Sequence, residues 1–537
     1  MQCRALPFRE LPHQPPLQIA LVDDFQKVKT FFSHEPTLEN AAKLATGLSY
    51  PSARRGAVAA ILREQNEQLG ASQIVLDNIA RLERGSAAVV SGQQVGLFGG
   101  PAYSFYKALS AIEGARLLTN SGVDAVPIFW MATEDHDLDE VRHASFFQDG
   151  KLVKFELPAQ SGRATPVGPQ KLGQQVADFV RAASVMLGGP AAGELADLLR
   201  RSYTPEETYA GAFGKLFAGL FAAHGLILLD PLDSRLHRLA EPIYRRAAEE
   251  RNELNDALLA RGKDLERAGY AAQVKVTGRS TALFFMGDGG REAIHSSGTQ
   301  FQADSKTWSP QEFAKAISQS PEAFSPNALL RPVVQDYLLP TVAYIGGPSE
   351  ISYFAQSEIL YSKLLGRAPV FLPRAGFTLV DSKAQRLLEQ YKMTVEDVWA
   401  GSQTVRRKLG AANLPPGLAS KLERDTKQVQ KLLQSWNAPI AKIDPTLKAT
   451  VEKAQRKISY QTEKLRQKTG WARDKKTSVL AGHAEFLNNL LYPDKALQSR
   501  ELCLLPLLAR WGMEGLDALQ KHSSGKYLGK HFLVPIP

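Results

Sequence analysis

Ala87-Ala88-Val89-Val90-Ser91-Gly92-Gln93-Gln94-Val95-Gly96-Leu97-Phe98-Gly99-Gly100-Pro101 reads as a short apolar run that breaks into a glycine-rich turn. An apolar helical stretch follows from about Tyr103 to Leu118, then a polar turn at Asn120-Ser121-Gly122. A second apolar run, Val126-Pro127-Ile128-Phe129-Trp130-Met131, ends in Ala132-Thr133-Glu134-Asp135-His136-Asp137. Strand, glycine turn, helix and strand make a βαβ unit, and folds of this kind bind ligands in the loops at their strand ends. This stretch is expected to form the floor of an active site.

The pattern recurs along the chain. Gly225-Leu226-Ile227-Leu228-Leu229-Asp230-Pro231 reads as a buried parallel strand with a loop at its carboxyl end. Thr341-Val342-Ala343-Tyr344-Ile345 runs into a second glycine turn, Gly346-Gly347-Pro348-Ser349-Glu350, that opens a helix, and Pro369-Val370-Phe371-Leu372 supplies another strand. Residues 1 to about 85 look mainly helical and read as a packing layer for the sheet. Between about 146 and 210 the chain loses regularity, with clusters such as Ser161-Gly162-Arg163-Ala164-Thr165-Pro166. Between about 270 and 325 it alternates in strand fashion around Gly287-Asp288-Gly289-Gly290. These are two insertions into an α/β core spanning residues 1–382.

From residue 383 to about 486 the sequence is long, polar and helix-forming. Leu418, Leu422, Asp425, Val429, Leu432 and Trp436 follow a 4-3-4-3-4 spacing, as do Leu447, Val451, Ala454, Ile458, Gln461 and Leu465. Two a/d seams joined across Pro439 and Pro445 imply an antiparallel helical hairpin, which also suits a dimer contact. Residues 487–537 turn apolar again and are expected to dock back on the core.

A chain of 537 residues calls for two or three domains. No apolar run of about eighteen residues suggests a membrane span, and Met1-Gln2-Cys3-Arg4-Ala5-Leu6-Pro7 lacks the apolar core of a secretion signal. Two cysteines, Cys3 and Cys503, support neither a disulfide framework nor a thiolate zinc site, so the cytoplasm is the expected compartment. The net charge of +10 is densest between Lys448 and Lys476, where ten basic residues face three acidic ones, as on a solvated coiled-coil face. Neither nucleic acid nor a membrane is the expected partner.

The first turn matches neither G-x-G-x-x-G nor G-x-x-x-x-G-K-[ST]. A strand-to-helix turn still aims backbone N–H groups at the space above it. Gly92, Gly96, Gly99 and Gly100 are therefore candidate substrate contacts, and Gln93 and Gln94 candidate catalytic amides, with tight packing as the competing explanation. The second loop, Thr133 to Glu140, holds five carboxylates and one imidazole. Crowded carboxylates raise one another's pKa, and a histidine between two aspartates can act as base or proton relay. Asp135, His136 and Asp137 are accordingly catalytic candidates, with Thr133 and Glu134 as substrate contacts; an acidic helix start explains some of these acids equally well. Asp139 and His143 have i,i+4 spacing compatible with a metal, but no second ligand cluster accompanies them and no metal is expected. At the other turn Tyr344, Gly346, Gly347 and Ser349 are candidate substrate contacts, Ser349 equally a helix cap. Arg331 offers a guanidinium to an anionic substrate or to a surface ion pair.

Taken together, Ser91 to Pro101, Trp130 to Asp137, Leu330-Arg331-Pro332 and Tyr344 to Glu350 resemble the bacillithiol biosynthesis cysteine-adding enzyme family, over essentially the whole chain. The resemblance implies a Rossmann-like core with two connecting insertions, similar to class I aminoacyl-tRNA synthetases and the mycothiol cysteine ligase. It also implies an α-helical antiparallel coiled-coil domain that dimerises, and addition of cysteine to the amine of glucosaminyl-malate. Gln93-Gln94-Val95-Gly96 lies where the synthetase-like relatives carry His-x-Gly-His, and neither histidine is present, which counts against simple adenylation. The resemblance leaves the cofactor open, ATP or ADP being the nucleotides in question. A nucleotide near the hairpin base would meet Tyr492, Gln498 and Arg500.

The expected function is an amide-forming ligase with cysteine and glucosaminyl-malate as substrates, working as a homodimer. The competing reading is a non-catalytic scaffold or nucleic-acid-associated protein that kept a synthetase-like core and uses its basic hairpin for partners.

Overall fold

The apolar runs become one parallel sheet: β1 (Ala87–Gln93), β2 (Ala125–Met131), β3 (Ile227–Leu229), β4 (Thr341–Gly346) and β5 (Val370–Pro373), in the order β5-β4-β1-β2-β3. The structure, a computed structural model, describes residues 2–159, 165–287, 290–474, 478–523 and 529–537. Ser161 to Ala164, Asp288-Gly289 and Lys475-Lys476, quoted above, lie outside these residues. The strands read as continuous apolar runs because helices cover both faces of the sheet. On one face Ile61, Leu62 and Ile79 of the helices Ser52–Gln68 and Gln73–Arg84 pack against Val90, Val126 and Ile128. On the other, α1 (Ala102–Asn120) lays Ala111, Ala115 and Leu118 over Val89, Val342 and Ile345. Each fully buried aliphatic side chain of this kind contributes about 1.5–3 kcal/mol.

Strand order fixes the cleft. From β1 the chain steps outward to β2 and β3, then returns past β1 to β4 and β5 on the other side. α1 leaves β1 over one face, and α2 (Pro348–Leu364) leaves β4 over the other, where Ile351 and Phe354 join the opposite core. A crevice opens at such a switch point, outside the carboxyl ends of the strands. Register sets Gly92 beside Trp130, and a Cβ at position 92 would lie 2.6 Å from the Trp130 carbonyl oxygen. Only glycine fits there.

The first insertion is more ordered than its composition suggests. His143–Gln148 and Lys151–Glu156 form an antiparallel hairpin, followed by the helices Gln175–Met186 and Ala192–Ser202. Its turn is Asp149-Gly150, with φ of 52° and 86°, the residue pair and left-handed geometry of a type I′ hairpin. The second insertion carries an antiparallel sheet in which Ser280–Gly287 lies between Gly290–Ser297 and Phe324–Pro326. Residues 2–85 are mainly helical, and near their start Arg4–Pro7 pairs antiparallel with Lys530–Pro535. That last strand also pairs in parallel with Gly376–Val380.

Pro416–Ser435 and Lys448–Asp474 form the helical hairpin, tied by Gln430 to Ser459 at 3.1 Å. The intramolecular contact buries Leu433 and Val451, but much of the expected seam faces outward. Leu432, Trp436 and Leu465 are 58, 47 and 57% exposed. The polar Gln430–Ser459 contact lies where the helices meet, so the apolar stripe is rotated away from the partner helix and left for another surface. No described helix is long and apolar enough to cross a membrane.

Candidate active site

A cavity of about 680 Å³ occupies the switch point. Its floor is Gly92, Gln93 and Gln94 at the end of β1. Glu134, Asp135, His136 and Glu140, which follow β2, line one side; Lys107, Arg331, Tyr344, Gly347, Ser349 and Arg374 line the other. Two buried wall atoms, Gln94 Oε1 and Trp130 Nε1, have no hydrogen-bond partner among the described residues. Orphaned polar atoms of this kind suit a ligand or water.

On the acidic side, Gln94 Nε2 donates to Asp135 Oδ2 at 2.6 Å, and Asp135 Oδ1 takes the His136 backbone N–H at 2.7 Å. Arg291, delivered by the second insertion, donates to His136 Nδ1 at 3.3 Å and to the Pro326 carbonyl at 2.8 Å, over the Phe284 ring. An arginine only donates, so Nδ1 is the acceptor and the neutral ring carries its proton on Nε2. Asp135 Oδ1 lies 3.5 Å from the same Nδ1, so the His136 ring stands between a carboxylate and a guanidinium.

Asp137 does not line the cavity; it caps the helix Leu138–Val141, accepting the Glu140 N–H at 3.2 Å. Thr133 is buried behind the wall, its hydroxyl donating to Asp230. Glu134 faces the cavity with a side chain only 9% exposed. Burial pushes its pKa up, as it does those of Asp230 and Glu140. His143 Nδ1 bonds the Asp139 backbone carbonyl at 2.9 Å rather than sharing a site with its carboxylate. Among the described residues no cluster of three or more His, Cys, Asp or Glu side chains is arranged to hold a metal.

On the basic side, Lys107 Nζ donates to the Gly92 carbonyl and to Gln93 Oε1, both at 2.8 Å, and forms an ion pair with Glu350. Burial lowers the Lys107 pKa, against the pull of Glu350. Glu350 also accepts the Tyr344 hydroxyl and the Gly347 N–H, each at 2.7 Å, so this carboxylate ties the end of β4 to the start of α2. Arg331 donates to the Tyr353 hydroxyl at 2.9 Å. Arg374 is 9% exposed and donates to the Ala375 carbonyl; burial, then the nearby Arg500, pushes its pKa down to about 10. Gly346 sits inside the strand end, its carbonyl taking the Arg374 N–H at 2.9 Å.

Gly96, Gly99 and Gly100 do not line the cavity. Their amides are spent within the turn, on Gln94, Gly96 and Leu97 carbonyls at 2.9 to 3.0 Å. A Cβ on Gly96 would meet Gly100 Cα at 2.8 Å, so close packing explains the glycines. Tyr492 pairs with His13 at 3.1 Å, and the Gln498 amide is taken up by Leu379 and Leu490 backbone. Arg500, the third residue expected at a nucleotide near the hairpin base, lines the cleft.

Lys107, Arg291 and Arg374 are among the wall residues that sequence reasoning passed over. Lys107 left a signal, a cation inside an otherwise apolar helix segment, Phe105-Tyr106-Lys107-Ala108-Leu109. Arg291 and Arg374 left none, since only tertiary folding brings them to β1.

The comparison with known proteins agrees with this architecture. Residues 1–375 match the domain described as Bacillithiol biosynthesis BshC, N-terminal Rossmann-like domain, and residues 377–533 match the BshC C-terminal coiled-coil domain. Proteins named "Putative cysteine ligase BshC" from Koribacter versatilis and Solibacter usitatus are 42% and 35% identical to the chain, each match covering 96% of both sequences. One of the same name from Salinibacter ruber is 30% identical over 94% of both. Sheet, cleft and helical hairpin all fall inside these matches, and the chain belongs to the bacillithiol biosynthesis BshC family.

Proposed function

We propose that the protein is a cytoplasmic carbon–nitrogen ligase that joins the carboxyl of cysteine to the amine of glucosaminyl-malate in bacillithiol biosynthesis. Its main support is the division of the cavity by charge. Because β2 and β4 flank β1 on opposite sides, Glu134, Asp135 and Glu140 gather on one side of the floor and Arg331, Arg374 and Lys107 on the other. Of the other charged lining residues, Arg291 and Glu350 are each engaged with neighbours on their own side, while Arg251, Lys275 and Arg500 come from outside the β1, β2 and β4 turns. Such a cleft suits a reaction between an amine and carboxylate-bearing molecules, the ammonium group meeting the acidic wall and the malyl carboxylates meeting Arg331. Gln93 and Gln94, held by Lys107 and Asp135, orient the reacting groups between them. The outward apolar stripe of the hairpin supports a homodimer through the coiled coil.

A low-molecular-weight thiol profile of a strain lacking the protein tests this. Loss of bacillithiol with accumulation of glucosaminyl-malate is the expected result. An unchanged profile in a strain that makes bacillithiol would remove the ligase reading. Steeply salt-dependent binding of polynucleotide by the purified protein would instead favour a nucleic-acid-associated scaffold.

A further inference from the structure

Glu134 is a buried carboxylate on the cavity wall, and no hydrogen-bond donor reaches it among the described residues. Buried carboxylates are ordinarily bonded, so this one is exposed to whatever enters the cavity. It is paired with His237, from the helix Ser234–Glu249, whose Nε2 lies 3.5 Å from Glu134 Oε1. His237 is 5% exposed, and its Nδ1 lies 3.0 Å from the Phe324 carbonyl oxygen. A carbonyl only accepts, so Nδ1 carries the hydrogen and the Nε2 lone pair of the neutral ring faces Glu134. Tyr244, 3.4 Å from Nδ1, and Phe324 fix the ring from behind.

We propose that Glu134 and His237 form the proton-accepting pair for a primary ammonium group bound in the cavity, Glu134 as the catalytic residue and His237 as the residue that positions it and receives the proton. The N–H bond of the ammonium breaks as an O–H bond forms on Glu134. That proton passes to His237 Nε2, leaving a free amine, a carboxylate and an imidazolium whose Nδ1–H stays on Phe324. No electron transfer and no other reactant is involved. The other charged or titratable groups around Glu134 are Asp230 at the end of β3, Arg291 from the second insertion, Arg331 ahead of β4, Tyr244 on the helix of His237, and adjacent Asp135. Arg291 is engaged on His136 and Arg331 on Tyr353, so neither donates to Glu134. The geometry favours this pair over His136, whose Nδ1 is already occupied by Arg291. The identity of the amine, though not the pair itself, rests on the ligase reading above.

Infrared difference spectra of the full-length protein between pH 5 and 9, with no substrate added, read the pair directly. The wild type should show a protonated-carboxyl band that Glu134→Gln abolishes, titrating above the usual carboxylate range. His237→Gln should move its midpoint, since the ring nitrogen that faces the carboxyl and exchanges a proton with it is gone. A band that Glu134→Gln leaves in place, or a midpoint that His237→Gln leaves unmoved, would overturn the pair. In a strain carrying each variant as its only copy, Glu134→Gln should lower bacillithiol about a hundredfold and His237→Gln by a smaller factor. Wild-type thiol levels with Glu134→Gln would overturn the catalytic assignment. Should removal of the wild-type gene leave the thiol profile unchanged, the ligase reading fails, and the infrared result still decides the pair on its own. If Glu134→Gln does not fold, His237→Gln carries the same spectroscopic test.

Discussion

Lys107 and Glu350 meet in a buried ion pair beneath the cleft, clamping α1 to the start of α2 across the switch point. Each strand end is thereby tied to the next: Lys107 reaches back to Gly92, and Glu350 to Tyr344 and Gly347. Lys107→Met leaves the Glu350 carboxylate buried without its cation and is expected to cost about 3–5 kcal/mol in urea unfolding. The double variant Lys107→Met, Glu350→Gln should recover a large part of that loss. If the two single losses simply add, the pair is not coupled.

His136 makes a different demand. If its work is to accept the Arg291 hydrogen bond, an asparagine carbonyl in its place can do the same, and an alanine cannot. His136→Asn should retain bacillithiol at least about tenfold above His136→Ala, measured in the same deletion background, with both proteins folded. Equal loss in the two variants would return the imidazole to the proton chemistry.

His531 gives the fold a specific acid weakness. It is buried beside Thr378, 2.8 Å from its hydroxyl, and burial, then the Arg374 charge, pushes its pKa from 6.5 to about 3. Between those values the unfolded chain binds a proton that the native state refuses, so stability falls as pH falls through that window, by about 1.4 kcal/mol per pH unit for one proton. His531→Gln should flatten this slope in urea titrations between pH 6 and 4. A wild-type slope unchanged by the substitution would show that other groups carry it.

The exposed stripe on the hairpin predicts its own cover. Leu432→Glu combined with Leu465→Glu should convert a dimer into a monomer in sedimentation, leaving the thermal melt of the core within a few degrees. A wild-type protein that sediments as a monomer at micromolar concentration would count against dimerisation through the hairpin.

Much of the cleft was legible because β1, β2 and β4 are apolar on both faces and stop at polar turns. Gln93, Gln94, Glu134, Asp135, Arg331 and Ser349 all line the cavity from those turns or beside them. Roles were less legible than places. Asp137 looks like half of a histidine–carboxylate pair and is a helix cap; Gly96 and Gly99 look like a ligand cradle and are packing glycines. Local sequence supports either use, and only the neighbours brought in by the fold decide. Arg291 reaches His136 from the second insertion, and His237 sits over a hundred residues from Glu134 in a helix that reads as simple cover. The hairpin shows the same limit: heptad spacing gave an apolar stripe correctly but not the surface against which it turns.

The strand Lys530–Pro535 lies between Arg4–Pro7 and Gly376–Val380, bonded to both. During synthesis Arg4–Pro7 therefore waits for a partner that leaves the ribosome about 530 residues later, so this small sheet can close only after translation has passed its other two strands. The buried imidazole of His531 is sealed by that closure, next to the strand whose loop carries Arg374. Closure of that sheet thus fixes the strand that follows Arg374, and a nascent chain lacks this brace on one wall of the cleft until residues 530–535 have been made.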